Sequence, residues 1–291
     1  MAKEQAFLNG RWVDLKNAKV SVLDRSFMLG DGLFESIRSY NKKIFRLDLH
    51  LDRLFIGANA IGILLPYSRN QLRNILQLVL EKNELNDAYI RLTVTRGEGN
   101  AHHQLELKGP PNLAVIARPY TVLSETFYKT GVAVALFPDT AQSTAGLNIR
   151  IKSCNFLSSI LLKDRALKAK AFEAILLRGQ NRITEGAFSN LFIIKDGELK
   201  TPRLNRWVLA GVTRKVVLEI ARNLKIFYSE TGLTKEDLHN ADEAFLTNTR
   251  YEVLPVTRAD GMLINKGKPG PLTKKLRQAF SKIIEEETLS C

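Results

Sequence analysis

Two spacings of apolar side chains divide the first 120 residues into strands and helices. Alternation of apolar and polar residues predicts a strand at 88–96, and the apolar stretches at 7–13, 33–40 and 112–118 are predicted as strands too. Apolar residues three or four positions apart predict a helix that opens at Asp48 as its N-cap, and a second helix around residues 72–79. The first part of the chain therefore alternates strands with helices, which is typical of a small α/β domain.

The rest of the chain shows the same two spacings in longer elements. Apolar stretches predict strands at 131–137 and 171–178 and a hairpin over 190–201 that turns at Asp196-Gly197. Helices are predicted near 156–170, 212–224 and 272–286, with a short helix capped at Thr234 and a further turn at Asp260-Gly261. The segment 97–112 is predicted as a loop.

A polar stretch after Pro119 divides these two parts. We predict a small N-terminal α/β domain at 1–118, an interdomain linker at 119–125 and a large C-terminal domain at 126–291. The predicted fold class is mixed α/β.

Composition narrows the function classes. The chain has 291 residues, 45% hydrophobic and 25% charged, which is ordinary for a globular protein. Its net charge of +13 makes nucleic acid a partner to consider. However, no run of Arg and Lys alternates with aromatic residues, so we expect no nucleic-acid partner.

Cysteine usage and hydropathy allow predictions about metal binding, cellular compartment and membrane association. Cys154 and Cys291 lack metal-ligand spacing, so we expect no metal, and free thiols suit a reducing compartment. The first residues have no apolar signal region, and no apolar run approaches the ~20 residues of a membrane-spanning helix. We expect a cytoplasmic protein with no membrane partner.

Three short features have the residue types that cofactor chemistry requires. Lys152 lies between a strand-like stretch and a helix, where it is either a Schiff-base lysine or one more surface lysine. Glu185 precedes a glycine, either as a turn residue or as a carboxylate that reaches a cationic ring nitrogen. The stretch 210–214 opens a helix with a glycine and a hydroxyl, which is either an ordinary helix start or a phosphate site.

Together these features occur in an ordered set of motifs that resembles the class IV aminotransferases, the pyridoxal-phosphate (PLP) enzymes of fold type IV. The family includes branched-chain aminotransferases, D-amino acid aminotransferases and aminodeoxychorismate lyases. The motifs are, in order, DRSFMLGDGLFESIR (24–38), HLDRLF (50–55), IKSCNFL (151–157), TEGAFSNLF (184–192), LAGVTR (209–214), FLTNTRYEVLPV (245–256) and GKPGPLTKKL (267–276). Because each motif is weak by itself, the resemblance depends on their joint order and spacing.

The resemblance implies a role for each matching position. Lys152 matches the lysine that binds PLP covalently and moves the substrate proton, and Glu185 matches the carboxylate that faces the pyridine nitrogen. Arg53, which lies off the apolar stripe of its helix, matches the arginine that holds the phosphate. The other matches are Leu209 against the ring face, and Val212, Thr213, Asn248 and Thr249 around the phosphate.

The resemblance also implies an architecture and partners. The expected fold has a smaller N-terminal α/β domain and a larger C-terminal domain with a barrel-like sheet. The expected assembly is a homodimer. The expected substrates are two small molecules, an amino acid and a 2-oxo acid, which exchange an amino group in a ping-pong reaction.

Substrate-pocket positions favour the branched-chain enzymes. Phe34 in FESIR lies in a stretch that resembles the FEGIR of transaminases, and Tyr89-Ile90-Arg91 resembles the YIR of branched-chain enzymes. Alternation places Tyr89 and Arg91 on one strand face, which is either a pocket wall or the polar outer face of an edge strand. The main hypothesis is therefore transamination of an apolar, branched-chain-like L-amino acid.

Other positions favour the alternatives. Asn155, three residues after Lys152, resembles D-amino acid aminotransferases and the lyases. His103 matches the histidine of an Arg-x-His carboxylate clamp in D-enzymes, but Ala101 stands where the arginine is expected. The alternatives are D-amino acid transamination, and elimination of pyruvate from aminodeoxychorismate to give 4-aminobenzoate.

Overall fold

A computed structural model describes residues 4–99, 107–138 and 150–289 of the chain. Residue contacts divide the chain into two compact units. Unit 1 comprises residues 1–121, 151–156 and 284–291, and unit 2 comprises residues 122–150 and 157–283. The segments 151–156 and 284–291, which the sequence assigns to the large domain, therefore group with unit 1.

Unit 1 is built on a six-stranded sheet in which every pairing is antiparallel, in the order β2-β1-β6-β5-β3-β4. Its elements are β1 (Gln5–Leu8), β2 (Arg11–Asp14), α1 (Arg25–Leu29), β3 (Gly32–Tyr40), β4 (Lys43–Ile44), α2 (Leu47–Ala60), α3 (Arg69–Lys82), β5 (Ala88–Thr95) and β6 (Leu113–Pro119), with a 3₁₀ turn at Leu15–Asn17.

The core of unit 1 forms because the alternating strands present one apolar face to the apolar stripes of α2 and α3. Ile37 and Ile90 on the sheet belong to one buried cluster with Leu51 of α2 and Leu72 of α3, each fully or almost fully buried. Burial of each such side chain stabilises the fold by about 2 kcal/mol. A capping box between Ser68 and Gln71 begins α3.

Two local predictions in unit 1 are wrong. Residues 7–13 do not form one strand, because Asn9 and Gly10 adopt positive φ and fold the segment into the β1–β2 hairpin. Asp48 is not the N-cap of α2, which begins at Leu47 after Arg46 in the left-handed conformation. Asp48 instead lies in the first helical turn, where it pairs with Arg73.

Unit 2 contains a ten-stranded mixed sheet, in the order β12-β11-β10-β14-β15-β7-β8-β9-β13, with β16 paired to β15. Its described elements are α4 (Glu125–Thr130), β7 (Val132–Pro138), α5 (Leu157–Lys168), β8 (Glu173–Arg178), β9 (Arg182–Gly186), β10 (Asn190–Lys195), β11 (Glu198–Pro202), α6 (Val212–Asn223), β12 (Tyr228–Thr231), β13 (Leu233–Thr234), α7 (Lys235–His239), β14 (Glu243–Asn248), β15 (Glu252–Ala259), β16 (Met262–Leu263) and α8 (Pro271–Leu289), with a 3₁₀ turn at Asn265–Gly267.

The local predictions in unit 2 are confirmed within one to three residues. Turns occur at Asp196-Gly197 and Asp260-Gly261, with positive φ at all four residues. Thr234 caps α7 through the predicted capping box. The mixed α/β fold class is confirmed as well. Among the described residues, no helix combines the length and hydropathy needed to cross a bilayer.

Candidate functional site

Three predicted substrate residues lie together on the sheet face of unit 1 that is opposite the helices. The β3–β5 register pairs Phe34 with Thr93 and Ser36 with Arg91, so their side chains project to the same side. The Arg91 guanidinium carbon lies 3.9 Å from the centroid of the Phe34 ring. The Tyr89 hydroxyl lies 2.7 Å from Ser36 Oγ. These contacts join Phe34, Tyr89 and Arg91 into one cluster on this face.

Lys152 joins this cluster because its segment runs alongside the start of β3. Phe34 N donates to Lys152 O at 3.0 Å, and Cys154 N donates to Gly32 O at 2.8 Å. The half-buried Lys152 amine lies 4.5 Å from the ring centroid of Phe34 and 5.7 Å from that of Phe156. The two rings meet edge to face at 5.1 Å. The Lys152 amine and the Arg91 guanidinium therefore both lie close to the Phe34 ring.

Arg53 projects from α2 into a buried ion pair with Glu35, a residue that the sequence analysis did not single out. Its Nε donates to Glu35 Oε1 at 2.8 Å, and its Nη2 donates to Glu35 Oε2 at 2.6 Å. His50, one turn earlier, places Nδ1 2.8 Å from Glu35 Oε2. Glu35 is 1% exposed and Arg53 is 13% exposed. This bidentate geometry fixes the guanidinium on its helix.

The charges of this cluster follow from its burial. Burial raises the pKa of Glu35, but the Arg53 charge and the hydrogen bonds from Arg53 and His50 outweigh it and lower that pKa to about 2. Burial lowers the pKa of His50. A signal for Glu35 was present in the sequence, because a carboxylate among the core-facing residues of β3 requires a partner.

Glu185, at the end of β9, is held by three N–H donors within unit 2. Its Oε2 accepts from Leu209 N at 2.7 Å and from Asn190 Nδ2 at 3.3 Å. Its Oε1 lies 2.7 Å from Arg150 Nε. Glu185 is 5% exposed. The structure thus brings two predicted cofactor residues, Glu185 and Leu209, together, and it adds Asn190 and Arg150, which the sequence analysis did not single out.

The start of α6 lies directly beside this carboxylate. Val212 and Thr213 are its first two residues, and its N-cap is Gly211, with no side-chain cap among the described residues. A Cβ on Gly211 would lie 2.0 Å from Asn190 Oδ1, so only glycine allows this approach. The first N–H groups of the helix lack intrahelical acceptors, and the helix dipole adds positive potential there. This arrangement can bind an anion such as phosphate.

Asn248 ends β14, and Thr249 lies in the turn between β14 and β15. Asn248 Oδ1 accepts from Arg250 N at 2.9 Å and from Tyr251 N at 3.0 Å. Asn248 Nδ2 donates to Phe188 O at 3.2 Å, in the turn that follows Glu185. The amide of Asn248 is therefore used to hold backbone, whereas Thr249 is half-buried at the tip of the turn.

The predicted residues thus divide between the units. Unit 1 carries Arg53, Lys152, Phe34, Tyr89 and Arg91; unit 2 carries Glu185, Leu209, Val212, Thr213, Asn248 and Thr249. The predicted His103 lies outside the described residues.

Comparison with known protein families gives one match that covers most of the chain. A family model described as amino-transferase class IV matches residues 32–259. The chain is 40% identical over 279 residues to a putative branched-chain-amino-acid aminotransferase of Methanocaldococcus jannaschii, which covers 95% of each chain. It is 36% identical to a D-alanine aminotransferase of Listeria monocytogenes, over 99% of this chain and 97% of the relative.

Solved structures agree with these relatives. The branched-chain amino acid aminotransferase of Escherichia coli superposes with a TM-score of 0.92 at 30% identity, over 98% of this chain and 96% of the other. The branched-chain aminotransferase of the thermophilic archaeon Thermoproteus uzoniensis, solved with norvaline, superposes with a TM-score of 0.89 at 31% identity, over 98% and 96%.

Proposed function

Because the chain belongs to the class IV aminotransferases, which are PLP-dependent enzymes, we propose that it transfers the amino group of an apolar, branched-chain-like L-amino acid to a 2-oxo acid. The observation that carries the choice of substrate is the surroundings of Lys152. The Phe34 and Phe156 rings beside its amine offer apolar surface to an aliphatic side chain. Arg91 over Phe34 offers a guanidinium to a carboxylate.

The residues of unit 2 fit a phosphorylated, nitrogen-containing ring. The uncapped start of α6 suits the phosphate group. Beside it, Thr247 Oγ1 is buried with no hydrogen-bond partner among the described residues, opposite Asn190 in the β10–β14 register. Glu185 is fixed by backbone and amide donors, as a carboxylate that accepts from a ring nitrogen must be.

We assign the steps of the reaction to individual side chains. PLP, when bound, supplies an electron sink for the pair left at the substrate Cα. The Lys152 amine takes the Cα proton as general base and returns a proton at cofactor carbon C4′. Glu185 would accept a hydrogen bond from the ring nitrogen and so favour its protonated form. In unit 2, the first turn of α6, with Thr249, would hold the phosphate, and Leu209 would pack on the ring face. Arg53 has the phosphate role that the resemblance implies.

Arg53 can act as a fixed phosphate ligand because Glu35 orients it. A flexible arginine would lose side-chain entropy on binding, whereas a guanidinium held by two hydrogen bonds has lost it already. Glu35 and His50 are therefore positioning residues in this proposal.

A second candidate is transamination of D-amino acids, which the similarity to the D-alanine aminotransferase of Listeria monocytogenes supports. The two candidates share Lys152, Glu185 and the cofactor. They differ in which enantiomer the pocket orients for proton removal.

We further propose a cytoplasmic homodimer. Large apolar side chains are exposed close together in one stretch of unit 1, where Val22 is 70%, Phe27 is 73% and Leu29 is 45% exposed. Such a patch is typical of a protein interface. Cys154 is a free thiol, which suits a reducing compartment.

The test is the visible spectrum of the PLP-loaded protein mixed separately with L-leucine, D-alanine and aminodeoxychorismate. We expect L-leucine to remove the absorbance of the lysine-bound cofactor and a 2-oxo acid to restore it. Removal by D-alanine alone would refute the L-preference and support the second candidate. Release of 4-aminobenzoate, with neither amino acid active, would refute transamination and support the lyase. Lys168→Ala removes a lysine whose side chain is 76% exposed. It is the control for substitution of a lysine and should behave as wild type.

A further inference from the structure

A buried carboxyl group in unit 2 has no part in the reaction described above. Glu173, the first residue of β8, is 1% exposed. Its Oε1 accepts from Ala174 N at 3.0 Å, and its Oε2 lies 3.4 Å from both Ser189 Oγ and Tyr251 Oη. Burial raises the pKa of Glu173, with Lys163 opposing that effect. One carboxyl group thus lies between two hydroxyls on different turns.

The first of these turns follows Glu185 directly. Gly186 N donates to Ser189 O at 2.7 Å, and Ala187 N donates to Ala174 O at 2.9 Å, which fixes the turn to β8. A Cβ on Gly186 would lie 2.2 Å from Ser189 Oγ and 3.3 Å from Glu173 Cγ. Glycine is therefore required for the turn to approach the carboxyl group, and Ser189 is held on it.

The second turn carries Thr249. Tyr251 is 8% exposed, and its ring packs edge to face on Phe172 at 5.6 Å. The Tyr128 hydroxyl donates to Tyr251 O at 3.2 Å, so the backbone of Tyr251 is held as well as its ring. A phenol hydroxyl at this depth requires a polar partner, and Glu173 supplies one.

We propose that Glu173 and Tyr251 are positioning residues. They fix the turn that carries Thr249 relative to strand β9, which carries Glu185, and thereby determine how tightly the protein binds the cofactor phosphate. The argument rests on the phosphate role of Thr249 in the proposed function. Tyr251 differs from a phenylalanine only by its hydroxyl group. That hydroxyl contacts the Glu173 carboxyl group, which also contacts Ser189. The Asn248–Phe188 hydrogen bond joins the same two turns at a second point.

The variants separate this role from general packing. Tyr251→Phe removes the hydroxyl and keeps the ring against Phe172. Glu173→Gln keeps both contacts, because its carbonyl can accept from Ala174 N while its amide donates to hydroxyls that accept equally well. Tyr228→Phe is the matched control, since its hydroxyl bonds Arg222 away from these turns.

The measurement is the dissociation constant for PLP and, separately, for pyridoxal, which lacks the phosphate but forms the same bond to Lys152. We expect Tyr251→Phe to weaken PLP binding about fivefold, the effect of one hydrogen bond, and to change pyridoxal binding less than twofold. Glu173→Ala should weaken PLP binding more than Tyr251→Phe does, whereas Glu173→Gln and Tyr228→Phe should match wild type.

Two results would overturn the proposal. Equal weakening of PLP and pyridoxal binding would indicate a purely structural role, and unchanged PLP binding in Tyr251→Phe would show that the hydroxyl does not hold the turn. Failure of the proposed function would be distinct from both. In that case the wild-type protein would bind PLP no more tightly than pyridoxal, or would not turn over amino acids.

Discussion

The ion pair between Glu35 and Arg53 allows a quantitative prediction about stability. Glu35→Gln preserves the shape of the side chain but removes its charge from Arg53. The pKa of Glu35 falls from 4.5 to about 2 in the folded protein. At about 1.4 kcal/mol for each pH unit, the ionised carboxylate contributes about 3 kcal/mol to the free energy of unfolding at neutral pH. We expect Glu35→Gln to lose about that amount.

The lowered pKa of Glu35 also predicts how the effect of Glu35→Gln on the unfolding free energy changes with pH. Because the folded pKa is depressed, the contribution is fully present above pH 4.5 and is lost as the pH falls towards 2. The difference in unfolding free energy between wild type and Glu35→Gln should therefore shrink by about 1 kcal/mol between pH 6 and pH 4.

The assay is urea unfolding of the cofactor-free protein at the two pH values, since bound PLP would add its own stabilisation. Asp52→Asn on the same helix is the matched control. It removes an ion pair with Arg69 whose partners are 51% and 44% exposed, so it should change stability by less than about 1 kcal/mol. A difference for Glu35→Gln no larger than for Asp52→Asn, or one independent of pH, would refute the reasoning.

Three further variants test other parts of the two units. Lys152→Ala should abolish turnover while circular dichroism and the unfolding midpoint stay near wild type, and substantial remaining activity would contradict its role. Glu185→Gln should lower kcat by about 100-fold or more with PLP still bound, as measured by steady-state kinetics and cofactor absorbance. Gly211→Ala should cost about 1–3 kcal/mol and weaken PLP binding, because its Cβ would meet Asn190 Oδ1; Gly109→Ala, where a Cβ meets nothing within 4 Å, is the control in thermal unfolding.

The long periodic elements could be predicted because their pattern reflects burial on one face. The strands β3, β5 and β6 and the helices α3, α6 and α8 agree with the sequence prediction to within about three residues. The errors occurred where a short local signal competed with the pattern. Asn9-Gly10 is a hairpin signal inside an apparently continuous strand, and Asp48 resembles a cap but lies in the first turn of α2.

Some site residues could be predicted from the sequence and others could not. Lys152 and Glu185 are conspicuous because each lies in a distinctive motif. The partners of Glu35, His50 and Arg150 cannot be read from the local sequence, because each partner is distant in the chain. The contact of Glu35 with Arg53 spans 18 positions, and that of Arg150 with Glu185 spans 35, so neither follows from local spacing.

Lys152 follows all the strands of the unit 1 sheet in the chain, which has a consequence for biosynthesis. All six strands of the unit 1 sheet are complete by Pro119, so a nascent chain can form this sheet before the lysine segment leaves the ribosome. The Phe34–Lys152 and Cys154–Gly32 hydrogen bonds then dock that segment onto a surface already built. A chain interrupted before residue 151 would therefore contain every strand of this sheet yet lack the lysine to which we assign the cofactor.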